Sequence, residues 1–261
     1  RSVAGWVRDG GTRQLSGFRP RAHIVVTWNE VSRAIAEAVA GECVVTDHLP
    51  TSAGALDQVT IIGDDPRALE IMFAVQQRGC AVTVIAAPDS PLVSEHARTT
   101  MVPPHIPFAE DMSVARTLAT LVAVTSPVAT VAEELTVLST LVDEEVVACH
   151  PDREEVTNPA RTLARTCTQG IPVHVGPARL TRLLAEISIA RGVPALSATA
   201  RQASAFQTND VALSIVDWSD GDAGNDPEVE DLPAAGSPAV DIVTTLRCAT
   251  RVAAATVMEV L

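Results

Sequence analysis

Residues 59–88, VTIIGDDPRALEIMFAVQQRGCAVTVIAAP, read as strand, tight turn, helix and strand in immediate succession. Val59 to Ile62 is a short β-branched run, and a second, AVTVIAA, occupies 81–87. Between them Asp65 is a good helix N-cap and Pro66 an ideal first helical residue. Leu69, Met72 and Phe73 share one helical face, and Gly79 stops the helix. Two strands joined by a helix of this length form a parallel crossover, because a hairpin return needs only a few residues. A parallel sheet must be covered on both faces, so the rest of the chain has to supply helices.

The composition suits that demand. Hydrophobic residues make up 47% of the chain but aromatics only 3%, with no Tyr, so Val, Ala, Leu and Ile build the core. Upstream, HIVVTW (23–28) is a strand, followed by a helix to Ala40, and CVVTD (43–47) is another strand before a loop at 50–55. Residues 1–22, rich in Gly and Arg, show no period and read as a segment leading into the sheet. Downstream, Asp111 opens a helix through Met112, Ala115, Leu118, Ala119 and Val122, which Ser126-Pro127 breaks. Thr130 and Glu133 then make a capping box for a helix buried through Leu135, Leu138 and Val142.

The pattern then starts again. Asn158-Pro159 caps a helix to about Thr168, IPVHV (171–175) is a strand, and Gly176-Pro177 a turn. A further helix runs through Leu180, Leu183, Leu184 and Ile187 to Gly192, and VALSIV (211–216) is a strand. The stretch DWSDGDAGNDPEVED, with seven acidic residues in fifteen, reads as a solvated loop or disordered segment, and 239–261 as a helix. The expectation is an α/β protein with two similar domains, each a parallel sheet flanked by helices. Residues 1–142 form the first, the acidic, aperiodic 143–157 a linker, and 158–261 the second.

Several function classes lose support. A net charge of −13 argues against nucleic-acid binding, which needs a positive face. Five scattered cysteines without a CxxC pair read as reduced cytosolic thiols, and the six histidines show no metal-ligand spacing. No segment is apolar enough for a membrane span, so a cytoplasmic protein without metal is expected. Neither GxGxxG nor GxxxxGK[ST] is present, so a nucleotide cofactor has no motif and none is expected.

Ligands of open α/β sheets bind at the carboxyl ends of the strands. Four turns lie there: Thr27-Trp28-Asn29, Gly63-Asp64-Asp65-Pro66, the turn with Asp89 and Ser90, and Gly176-Pro177 followed by Arg179. Asp64 and Asp65 serve the helix start by capping and by charge at the positive end of its dipole. One of them could equally accept hydrogen bonds from sugar hydroxyls. A phosphate beside them is disfavoured, since like charges ~5 Å apart at an effective dielectric of ~20 repel by about 3 kcal/mol.

The element order, the duplication, the NPARTLA opening of the second half and the stretch GALDQVTIIGDDPRALEIMFAVQQRGCAVTVIAAPDSPL resemble the sugar isomerase (SIS) fold. Within it, they look like the bacterial bifunctional phosphoglucose/phosphomannose isomerases, in particular the actinobacterial TobH-like branch. The resemblance runs from Arg21 almost to the end of the chain and implies a sugar-phosphate ligand and a homodimer. Active members carry a Gly/Ser-rich turn after the first strand and a Ser-Gly-x-Thr phosphate cradle after the next main strand. Here Thr27-Trp28-Asn29 and Gly63-Asp64-Asp65-Pro66 stand instead, and only Ser90 matches the third phosphate-side contact. The catalytic glutamate is implied at Glu186, but no histidine follows His174 to open the sugar ring. Aldose–ketose isomerisation needs a base between C1 and C2, a ring-opening group and a remote hold on the phosphate. The resemblance therefore implies a degenerate isomerase that still binds a sugar phosphate or carbohydrate derivative. An active isomerase using Glu186 with Thr27, Asn29, Ser90 and Arg179, and a non-catalytic interaction subunit, remain as alternatives.

Overall fold

The computed structural model describes residues 2–15, 19–39, 43–87, 90–94, 100–101, 114–125, 131–206, 212–218 and 238–260. The chain folds as two compact units, Arg1–Val137 and Leu138–Leu261. Both are α/β, with parallel strands flanked by helices.

In the first unit the described elements are α1 (Ser2–Arg8), a 3-10 turn (Arg13–Leu15), β1 (His23–Thr27), α2 (Glu30–Val39), β2 (Val44–Thr46), β3 (Gln58–Ile62), α3 (Arg67–Gln77), β4 (Ala81–Ile85), α4 (Pro91–Ser94), β5 (Thr100–Met101) and α5 (Val114–Thr125). The strands are all parallel, in the order β2-β1-β3-β4-β5. Central β3 is buried at every position, as a strand covered on both faces must be. Ile24, Val26, Val59, Ile61 and Val84 project to one face and pack on Ala68, Met72 and Val75 of α3. On α3 the expected buried stripe is rotated: Met72 is buried, Leu69 half-buried, and Phe73 is 47% exposed. Ala68 and Val75 do the packing that the aromatic side chain was expected to do.

Helix α6 (Val131–Ala148) leads into the second unit, which continues with a 3-10 turn (Glu155–Thr157), α7 (Pro159–Thr168), β6 (Ile171–Val175), α8 (Ala178–Ala190), β7 (Leu196–Ala198), α9 (Ala200–Phe206), β8 (Leu213–Asp217) and α10 (Pro238–Val260). The three strands are parallel in the order β7-β6-β8, and α10 packs on α7 and α8. Asn158 caps α7 as its sequence predicts, its Oδ1 accepting from the N–H groups of Ala160 at 3.0 Å and Arg161 at 3.2 Å.

Other expectations differ. Residues 2–8, read as aperiodic, are helical, and α1 packs on α5. Residues 143–148, placed in a linker, are the last turns of α6. Their acidic run hides Glu145, which is 2% exposed and accepts from Arg251 Nε at 2.8 Å and Arg247 Nε at 3.3 Å on α10. A buried carboxylate with two guanidinium partners ties this end of α6 to α10. The expected helix start at Asp111, the break at Ser126-Pro127, Thr130 of the capping box and most of the acidic stretch after Trp218 lie outside the described residues.

Candidate functional site

The chain leaves β1 for β2 on one side and then reaches β3 on the other, so the connections part between the carboxyl ends of β1 and β3. A crevice opens at such a switch point. Here its walls include Asn29, Ser32, Gly63, Asp64, Arg116 and Thr117, around a volume of about 50 Å³. Two of the turns singled out from sequence are thus brought together across adjacent strands, with Thr27 in register with Ile62.

Each wall has a local origin. Thr27 is fully buried, and its Oγ1 accepts from the Asn29 N–H at 3.3 Å. Asn29 caps α2 through its own Oδ1, which accepts from Ser32 N–H at 3.1 Å. Its oxygen is committed to the helix, so its amide N–H groups are what it can offer a ligand. Gly63 has φ +101°, a conformation that favours glycine, and donates to the Ile85 carbonyl at 2.9 Å. Asp64 follows, and its Oδ2 accepts from Ala87 N–H at 3.2 Å. The carbonyl of Ala86, on that same Ala86–Ala87 peptide, accepts from Arg116 Nη2 at 3.5 Å. One peptide unit is therefore held at its N–H by a carboxylate and at its C=O by a guanidinium.

Asp65 is not the bare charge that the sequence suggests. Arg67 grips it bidentately, Nε to Oδ1 at 2.8 Å and Nη2 to Oδ2 at 2.9 Å, and the Arg67 backbone N–H adds a bond at 2.9 Å. These bonds hold the Asp65 carboxyl well below its ordinary value, at about 2. The helix starts at Arg67, one residue later than expected, with Pro66 at the N-cap position and already in helical torsions (φ −53°, ψ −30°). The turn thus carries one uncompensated carboxylate fewer than expected, and the repulsion argued against an anion here is correspondingly weaker. Arg67 also lies over the Trp28 ring, 5.1 Å from its centroid. Trp28 packs its other side toward the core, with a buried Nε1 that has no hydrogen-bond partner among the described residues.

The remaining expected site residues lie elsewhere. Ser90 is 5% exposed, and its Oγ accepts from Leu92 N–H at 3.2 Å, a turn that starts α4. Asp89 lies outside the described residues. Gly176, Arg179 and Glu186 belong to the second unit. At Gly176 (φ +149°) a Cβ would stand 3.2 Å from the Trp218 carbonyl carbon, so this glycine serves close packing. Arg179 is exposed in the first turn of α8, and Glu186 is half-buried two turns later. His174, buried at 1% exposure, is engaged on both nitrogens: Nδ1 accepts from Trp218 Nε1 at 3.1 Å, and Nε2 faces Ser188 Oγ at 3.5 Å. Burial lowers its pKa to about 4, so it stands neutral inside the unit.

Two arginines were missed from the sequence. Arg116 is 8% exposed and is the one charged residue in α5, VARTLATLVAVT, which is the signal that could have marked it. Arg67 was visible only as a helix residue after Pro66. Among the described residues, no group of three His, Cys, Asp or Glu side chains is placed to hold a metal, and no helix is long and apolar enough to cross a membrane.

The α/β architecture is that of the sugar isomerase fold. A candidate phosphosugar isomerase from Salmonella typhimurium LT2 superposes with a TM-score of 0.58 at 13% identity, over 99% of this chain and 95% of the other. The C-terminal domain of glucosamine-fructose-6-phosphate aminotransferase from Francisella tularensis gives 0.55 at 11% identity, over 99% and 92%. A glucose-6-phosphate isomerase like protein from Thermus thermophilus gives 0.52 at 15% identity, also over 99% and 92%. Identities this low speak for the fold alone. No protein-family model and no curated protein matches the sequence.

Proposed function

We propose that the chain is a phosphosugar-isomerase-like protein that binds a sugar phosphate or related carbohydrate derivative in the first unit's switch-point crevice and lacks isomerase turnover. The observation that carries this is Arg116. A guanidinium buried in the wall of a crevice, beside the amide of Asn29 and the hydroxyls of Ser32 and Thr117, suits a phosphoryl group and the first hydroxyls of its sugar. The fold adds support, because the similar structures include proteins described as acting on phosphosugars. The described crevice volume of about 50 Å³ fits a small polar group rather than a whole sugar, so the ring would extend toward the mouth.

The absence of turnover rests on the residue types available. The turns that replace the hydroxyl-rich cradles carry Trp28, Asn29, Asp64 and Asp65, and His174 is sealed in the core. The kinship with bifunctional phosphoglucose/phosphomannose isomerases of the TobH-like branch, a homodimer and a cytoplasmic location belong to the same proposal. Calorimetric titration with glucose 6-phosphate and mannose 6-phosphate tests it, together with an assay for fructose 6-phosphate formation. Binding without turnover is expected. Lack of binding by either sugar phosphate removes the proposal, and sustained fructose 6-phosphate formation removes its non-catalytic half.

A further inference from the structure

We infer that the Asp65–Arg67 pair, seated on Trp28, recognises a vicinal diol of the bound sugar and is the specificity edge of the crevice. This rests on the proposed sugar-phosphate site and adds a residue, Arg67, to it.

The place is set by chain connectivity. Trp28 is the neighbour of Asn29, and Asp65 the neighbour of Asp64, both of which line the crevice. Consecutive Cα atoms are ~3.8 Å apart, so Trp28 and Asp65 each stand one residue from the crevice wall, and the Arg67 side chain reaches back to both. Its side chains are accessible there, Arg67 at 59% and Asp65 at 25% exposure.

The chemistry follows from counting donors and acceptors. Arg67 uses Nε and one hydrogen of Nη2 on Asp65, which leaves the second Nη2 hydrogen and both hydrogens of Nη1. Asp65 Oδ1 already accepts twice, from the Arg67 side chain and from its backbone N–H, whereas Oδ2 accepts once. The outer edge of the pair therefore presents an N–H donor next to a carboxylate lone pair. Adjacent sugar hydroxyls, each both donor and acceptor, match such an edge. Trp28 under the guanidinium and the bidentate carboxylate fix its plane, so little freedom remains to be lost on binding. The charge balance excludes a second anion as the occupant. Asp65 neutralises Arg67, and the charge of Asp47, just beyond β2, also reaches it, so the edge leans acidic and suits neutral hydroxyl groups.

The test titrates the full chain with three probes: inorganic phosphate, butyl phosphate and glucose 6-phosphate. In the wild type, glucose 6-phosphate is expected to bind at least about tenfold tighter than the two probes without a diol, the gain ordinary for hydrogen bonds to charged groups. In Arg67→Gln and Asp65→Asn the ratio of glucose 6-phosphate to butyl phosphate affinity, taken within each variant, falls to about one, while the affinity for inorganic phosphate shifts only with the charge left unpaired, down in Arg67→Gln and up in Asp65→Asn. Arg67→Lys does not restore the ratio, since an ammonium lacks the planar fork. Glucose 6-phosphate binding that is unchanged in Arg67→Gln overturns the inference alone. So does butyl phosphate binding as tightly as glucose 6-phosphate in the wild type, a comparison that needs no variant to fold. Failure of every probe to bind the wild type overturns the sugar-phosphate site and the inference with it.

Discussion

The indole N–H of Trp218 donates to Nδ1 of His174 at 3.1 Å, deep in the second unit, which fixes this imidazole as the neutral tautomer protonated on Nε2. Protonating Nδ1 would set two donors against each other in a buried site. Burial accordingly lowers the pKa of His174 from 6.5 to about 4. The unfolded chain then binds the extra proton at a higher pH than the folded one, so stability rises with pH in the window between. Full stability is expected above pH ~6.5, with a progressive loss on acidification toward pH 4 and no further loss from this group below that. The size is on the order of 3 kcal/mol for a shift of this extent. Urea melts at pH 7.5, 6, 5 and 4, followed by tryptophan fluorescence, measure it. In His174→Phe the slope across this window should flatten, though the variant starts less stable at pH 7.5 because Trp218 Nε1 loses its acceptor.

Glu145 holds α6 to α10 through Arg251, itself 7% exposed, and Arg247. Desolvation alone would raise its pKa, yet the hydrogen bond and charge of Arg251 keep it below the ordinary glutamate value. Glu145→Ala removes the carboxylate and keeps the buried guanidinium, a change that typically costs about 3–5 kcal/mol. Thermal unfolding should show a large fall for Glu145→Ala. A variant with Glu145 and Arg251 both replaced by Met should recover much of it.

Asn158 is 1% exposed and works in two directions: Oδ1 caps α7, and Nδ2 donates to the His150 carbonyl at 2.8 Å. Asn158→Ala should cost about 1–2 kcal/mol for the cap, with a further loss from the orphaned carbonyl. Asn158→Asp keeps the capping acceptor and sets a carboxylate against that carbonyl, so it should recover only part of the stability. Chemical denaturation of the three proteins side by side decides this.

Arg116→Gln should lower affinity for glucose 6-phosphate at least about tenfold, because a charge-assisted contact is replaced by a neutral one. Wild-type affinity should also decline as salt rises, and Arg116→Gln should show a shallower decline. Affinity indifferent to both the substitution and the salt would remove Arg116 from the site. Titrations at low and high sodium chloride supply the comparison.

Much of the architecture was legible along the chain. The crossover at 59–88, the Asn158-Pro159 cap and the stops at Gly79 and Gly192 follow from local rules, since periodicity, capping and positive φ depend on neighbours in sequence. Short elements without β-branched residues escaped: β7 is Leu-Ser-Ala, whereas the equally short β2 is marked by Val-Val-Thr. Phe73 escaped for another reason, because helical spacing names a stripe but not the element that covers it, and Ala68 and Val75 took the contact.

The sequence by itself determined that strands run parallel under helices, that Asp65 and Pro66 begin a helix, and that no hydroxyl-rich cradle follows β1 or β3. Only the tertiary structure decided what those turns are worth. The strand order β2-β1-β3 placed Asn29 and Gly63 on one crevice, and α5 brought Arg116 there from thirty residues beyond the Ala86 carbonyl it touches. Arg67 turned back over Trp28 and neutralised Asp65, which made a doubly acidic turn into a paired edge. Charge pairing and burial depend on distance through space, and a chain fixes those distances only once its strands have chosen their neighbours.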